Sequence, residues 1–138
     1  NQALMIGKPG SGKSNLLHVI ILSAITKYGP KELEIYLIDF KGGVEFMSYA
    51  EYNIPHIRTI ALESDRGFGL SVIDGVEKEL LIRETQFRNA GVQNIEQYNQ
   101  KYPEKKVPRI LFIVDEFQEF FIKEYYVFDK GIYKILRY

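Results

Sequence analysis

The chain has 138 residues, which fits one domain, and 46% of them are hydrophobic, so a buried core is attainable. Lys plus Arg and Asp plus Glu each number 18, giving a formal net charge of zero, which argues against an arm that holds nucleic acid by bulk charge but leaves local loop contacts open. The absence of Cys rules out a disulfide scaffold and a Cys-based zinc site, and without a signal peptide or an apolar run of the ~18 residues a membrane span needs, a cytoplasmic segment with no membrane contact is expected.

Taken in chain order, Ala3-Leu4-Met5-Ile6 reads as a short apolar strand and Gly7 to Gly12 as a glycine loop. Ser14 to Tyr28 reads as a helix that is apolar almost all round and therefore well buried, stopped by Gly29-Pro30. Leu33 to Phe40 has the aliphatic and aromatic run of a strand covered on both faces, and Lys41-Gly42-Gly43 breaks it. Ile57 to Leu62 is a third, weaker strand. From about Gly69 to Asn89, Ile73, Val76, Leu80 and Phe87 fall at helical spacing, with Gly91 as the stop. Asn94 to Lys101 suits a short helix, Pro103 to Pro108 a loop, and Ile110 to Val114 is the clearest strand, ending in Asp115-Glu116. Alternation of strand and helix predicts an α/β fold with a mainly parallel sheet.

Gly7-Lys8-Pro9-Gly10-Ser11-Gly12-Lys13-Ser14 satisfies G-x-x-x-x-G-K-[ST] at every required position, in the strand–loop–helix setting the motif demands. Glycines let the backbone curl so that successive N–H groups face phosphate oxygens. The positive end of the following helix dipole favours the same anion. Lys13 is expected to reach the β- and γ-phosphates of ATP and Ser14 to ligate Mg²⁺. The backbone from Gly7 to Asn15 makes up the candidate binding segment; no chemistry is assigned to the Pro9 and Ser11 side chains. The apolar strand ending in Asp115 is the Walker B arrangement, with Asp115 holding Mg²⁺ through water or Ser14. Glu116 has two readings: a general base that polarises the attacking water, or an acid that starts the next helix and suits its dipole. The adjacent acid favours the additional-strand branch of P-loop ATPases over kinases or small GTPases.

Further segments come in a definite order. Leu37-Ile38-Asp39-Phe40-Lys41-Gly42-Gly43, Ile54-Pro55-His56-Ile57, Glu79 with Arg83, Gly91-Val92-Gln93-Asn94-Ile95 with Tyr98-Asn99, and Asp115-Glu116-Phe117 together resemble the FtsK/SpoIIIE family from about residue 3 to 121. The resemblance implies a RecA-like motor that assembles as a homo-oligomeric ring, usually a hexamer, and moves double-stranded DNA at the expense of ATP. It also implies a parent protein with an upstream region and a membrane anchor there. The Asp39 to Gly43 and Asp115 to Phe121 stretches are similar to type VII secretion ATPases as well, so protein secretion is the alternative, followed by a non-hydrolysing nucleotide-binding assembly module.

Each of these residues also has a plainer reading. Lys41 faces either nucleotide or a neighbouring subunit, or else solvent. His56 is read as a packing or hydrogen-bonding residue, Arg83 as a partner of Glu79. Lys101, Lys105, Lys106 and Arg109 are read as a solvated basic loop. From Ile122 to Tyr138 the resemblance fails, because the family's strand ending in Ser/Thr-Gln is missing. The expected organisation is a partial P-loop ATPase core over 1–121 and a divergent or truncated tail over 122–138. Such a fold is incomplete at both ends, and its Walker A strand lacks sheet neighbours.

Overall fold

A computed structural model describes residues 3–41, 45–62 and 66–118. Its elements run α1 (Lys13–Lys27), β1 (Leu33–Asp39), α2 (Met47–Glu51), β2 (Ile57–Leu62), α3 (Arg66–Ala90), α4 (Ile95–Lys101), a 3₁₀ turn (Pro103–Lys105) and β3 (Arg109–Asp115). The three strands are all parallel, in the order β2-β1-β3. The expected α/β architecture is therefore present, with the sheet between helical layers.

β1 is the central strand and explains its own composition. Ile35 and Leu37 point to one face, where they meet Ile21 of α1 and Phe46 and Tyr49 beside and in α2. Ile38 points to the other face, with Phe40 and Ala61, against Val72 and Ile73 of α3. A strand covered on both faces has no polar face to show, hence the LEIYLIDF run. Full burial of each aliphatic side chain stabilises the fold by roughly 1.5–3 kcal/mol. Gly69 in α3 serves the same packing: a Cβ there would stand 3.3 Å from the Phe40 ring.

Expectations from sequence held for β1, β2, β3, α3 and α4 to within a few residues. Three differ. Residues 3–6 form no strand, and Leu4 and Ile6 are 77% and 86% exposed. A strand needs a neighbour to bond its N–H and C=O groups, and in the three-stranded sheet no strand pairs with β3 on its outer side among the described residues. For the same reason α1 is not buried all round. Only Ile21 is buried, while Leu16, Val19, Ile20 and Leu22 remain exposed, because the sheet covers one stripe of the helix. Finally, α2 was not expected from the sequence; it is a short helix of five residues. The tail 122–138, and Gly42 and Gly43, lie outside the described residues.

Two joints fix the far side of the sheet. His56 is buried and its Nε2 donates to the Tyr28 carbonyl at 2.8 Å, tying the entry to β2 onto the end of α1. Asn99 grips Val107 through both ends of its amide, each bond 2.9 Å, which seats α4 beside the start of β3.

Candidate functional site

The site lies at the carboxyl ends of the strands, where open α/β sheets form their clefts. β1 and β3 are in register so that Asp39 and Asp115 are paired neighbours. Both acids are buried, at 1% and 4% exposure.

The glycine loop approaches from the front. Gly10 and Gly12 adopt left-handed backbone (φ 77 and 87), conformations glycine takes without strain. Gly7 lies close under Ser11: a Cβ there would displace the Ser11 hydroxyl, which would have to rotate away. The Ser11 amide closes a turn onto the Lys8 carbonyl at 3.0 Å, with Pro9 and Gly10 at the tip of the turn. α1 then starts at Lys13 behind Gly12, which has no side chain to cap it, so the N-cap residue leaves the leading N–H groups of the helix to other partners. Ser14 is partly buried in that first turn and Asn15 is exposed.

Lys13 reaches across to both Walker B acids. Its ammonium pairs with Asp115 in a very short contact and with Glu116 at 3.4 Å. Burial works against the charged lysine, but the two carboxylates outweigh it and hold its pKa above the ordinary lysine value. Glu116 has φ 49, a left-handed backbone uncommon for a residue with a Cβ, and one that costs of order 1–3 kcal/mol. It is not itself helical and stands two residues before the helical Gln118. Its amide donates to Asp115 Oδ1 at 2.9 Å, and its carboxylate also takes Lys41 Nζ at 3.8 Å and the Gln118 amide.

Asp39 completes the edge. Oδ1 accepts the Lys41 amide at 2.8 Å, while Oδ2 is buried and makes no hydrogen bond of ordinary geometry among the described residues. Burial first, and the negative Asp115 and Glu45 near it, push the Asp39 carboxyl above its usual range, against the opposing Lys41 and Glu45 amides. Beyond it, His18 bonds the Tyr49 hydroxyl through Nδ1 at 2.7 Å and lies 3.4 Å from Glu45, linking the phosphate-loop helix to α2.

Sequence reasoning thus found the residues that meet: the loop from Gly7 to Gly12, Lys13, Asp115 and Glu116. It missed Gln118, which stands two residues past Glu116, and the pairing of His18 with Tyr49, which only the fold brings together. Lys41, read as facing either the site or solvent, has its Nζ 3.8 Å from Glu116 on a side chain that is 61% exposed. Arg83 lies at the opposite end, bonded to Glu79 at 2.7 Å and to the Pro108 carbonyl. Of the basic group, Lys101 caps the Ala90 carbonyl at 2.6 Å and Arg109 pairs with Glu96 at 2.6 Å; Lys101, Lys105 and Lys106 are its exposed members.

The donor set fits a nucleotide: an uncapped helix start, two left-handed glycines, a lysine and a hydroxyl at the front, two acids behind. Among the described residues no group of three or more His, Cys, Asp or Glu side chains makes a self-contained metal site. A cation here would rest on Ser14, Asp115 and ligands brought by the phosphates.

The FtsK/SpoIIIE family model matches residues 1–130, and the chain belongs to that family of P-loop ATPases. A DNA translocase FtsK from Caldanaerobacter subterraneus subsp. tengcongensis is 35% identical over 116 residues, which cover 84% of this chain and 16% of that protein. The ESX secretion system protein YukB of Bacillus subtilis is also 35% identical, over 122 residues, covering 84% of this chain and 8% of that protein. Among solved structures, the cytoplasmic domain of EssC superposes with a TM-score of 0.78 at 26% identity, covering 91% of this chain and 24% of that one. The pCW3 conjugation coupling protein TcpA, solved with ATPγS, superposes at 0.69 with 28% identity, covering 95% and 34%. This chain therefore spans a small part of each relative.

Proposed function

We propose that residues 1–121 are the nucleotide-binding core of an ATP-driven double-stranded DNA translocase, working within a larger ring-shaped, cytoplasmic assembly, with the tail from 122 set apart from that core. The observation that carries this reading is the bridge from Lys13 of the phosphate loop to Asp115 and Glu116 at the end of β3.

In this reading the backbone from Gly7 to Asn15 wraps the phosphates of ATP. Lys13 leaves its acid partners for the β- and γ-phosphates. Ser14 and Asp115 are the ligands offered to Mg²⁺, which when bound supplies neutralising charge between the phosphates. Glu116 is held one residue past Asp115, where a carboxylate can orient water and accept its proton. Its left-handed backbone is consistent with a side chain aimed by the fold at some energetic cost.

A second reading stays in view because YukB matches at the same identity as the DNA translocase: the same core driving protein export. Among the described residues no helix is long and apolar enough to cross a membrane. The deciding experiment is ATP turnover by the chain extended to the full ATPase domain, with and without duplex DNA. Stimulation by DNA supports the translocase. Turnover indifferent to DNA favours secretion, and binding without any turnover favours an assembly module.

A further inference from the structure

We propose that Lys41 is a positioning residue that takes sole ionic charge of Glu116 when nucleotide draws Lys13 away. The inference rests on the phosphate-loop reading of Lys13. Two lysines face two acids at the carboxyl edge of the sheet, and they divide the Glu116 carboxylate between them. Lys13 sits on Oε1 at 3.4 Å; Lys41 sits on Oε2 at 3.8 Å, the oxygen that also accepts the Gln118 amide.

This division has a mechanical consequence. If Lys13 turns to phosphate, Oε1 loses its cation and becomes the free oxygen, available to a water, while Oε2 stays held by Lys41 and Gln118. Without Lys41, the departure of Lys13 leaves a carboxylate facing phosphate charge with no ammonium beside it. Like charges at such range raise the free energy of the bound state. Lys41 is suited to this task because its backbone is fixed even though its side chain is 61% exposed. Its amide is bonded to Asp39 Oδ1 at 2.8 Å, and Asp39 is locked in register beside Asp115. The tip can therefore follow Glu116 from an anchored base.

The hand-over is read by a double-mutant cycle on nucleotide binding, which needs no turnover. Titration of a fluorescent ADP with Mg²⁺ at low salt compares the chain with Lys41→Met, Glu116→Gln, the double variant and Lys41→Arg. Lys41→Met is expected to weaken binding about two- to fivefold, the size of an exposed ion pair, and Lys41→Arg to restore it. In the Glu116→Gln background the Lys41→Met loss should vanish, because the carboxylate that needed the cation is gone. A loss of equal size in that background would mean that Lys41 touches phosphate directly or acts only on folding, and would overturn the hand-over. So would a Lys41→Met variant that binds like the original chain. Lys13→Ala is run beside them: if it binds nucleotide as well as the original chain, the phosphate-loop reading itself fails, a result separate from failure of the cycle alone.

Discussion

Both ends of the sheet bury charge, and they treat it in opposite ways. At the amino end, Arg83 is almost fully buried and each nitrogen of its guanidinium has a partner: Glu79 at 2.7 Å, the Pro108 carbonyl, and the charge of Glu34 at 3.8 Å, which is itself paired with Arg58 at 3.0 Å. At the carboxyl end, Asp39 is buried more deeply, yet among the described residues one of its oxygens makes no hydrogen bond of ordinary geometry, and its neighbours include another acid. Lys13 answers two acids at once, and Glu116 holds an uncommon backbone angle. A charge buried to hold a fold together is closed by its own chain. Under the proposed function, the charge at the carboxyl end is left partly open for a partner that arrives from outside.

If this contrast is right, changes at the carboxyl end should alter function and spare the fold, and changes at the amino end should do the reverse. The largest effect is expected from Glu116→Gln. Turnover by the full ATPase domain should fall about 10²- to 10⁴-fold, with nucleotide affinity kept within about a factor of two to five; retained turnover removes the base role. Arg83→Leu comes next, costing about 2–3 kcal/mol in chemical denaturation. It strips the Pro108 carbonyl and Glu79 of their donor, and leaves Glu34 to Arg58 alone, while leaving nucleotide affinity of the folded protein unchanged. An unchanged denaturation midpoint would break the comparison at its structural end.

A smaller effect is expected at the start of α4, where the Asn94 side chain accepts the Gln97 amide at 2.9 Å. Asn94→Ala should cost about 1 kcal/mol with no change in binding. The smallest concerns Asp39. Its folded pKa lies above the ordinary 3.8, so folding prefers the neutral acid. That contribution is fully present below the unfolded pKa and is lost as pH rises through the folded pKa. Asp39→Asn keeps an acceptor for the Lys41 amide and removes the charge. In Mg²⁺-free buffer it should match or exceed the original chain at pH 7 by up to about 1 kcal/mol, and the gain should close as pH falls toward 3.8. A gain that grows on acidification would reverse the sign.

Much of this was legible in the sequence, for physical reasons that differ by region. The phosphate loop reads directly because its chemistry is local: glycine spacing, lysine and hydroxyl lie within eight residues. β1 and β3 read directly because strands covered on both faces are apolar without alternation. The segment 3–6 misled because its composition is that of a strand, whereas a strand exists only when another lies beside it. α1 misled similarly, since apolar residues all round a helix say that it wants cover, not what provides it. Lys41 stayed ambiguous because only the parallel register of β1 on β3 brings it to Glu116. The Asp39 orphan oxygen was invisible for the same reason: unsatisfied burial belongs to packing, and no local pattern encodes it.

The central claim is that the loop from Gly7 to Ser14 is a phosphate cradle whose cation is Lys13. The most direct test is a titration of ADP with Mg²⁺ into the chain and into Lys13→Ala, with folding of both checked by circular dichroism. Loss of one charged partner predicts roughly a 10- to 100-fold weaker affinity in the variant. Equal affinity in two equally folded proteins would contradict the account.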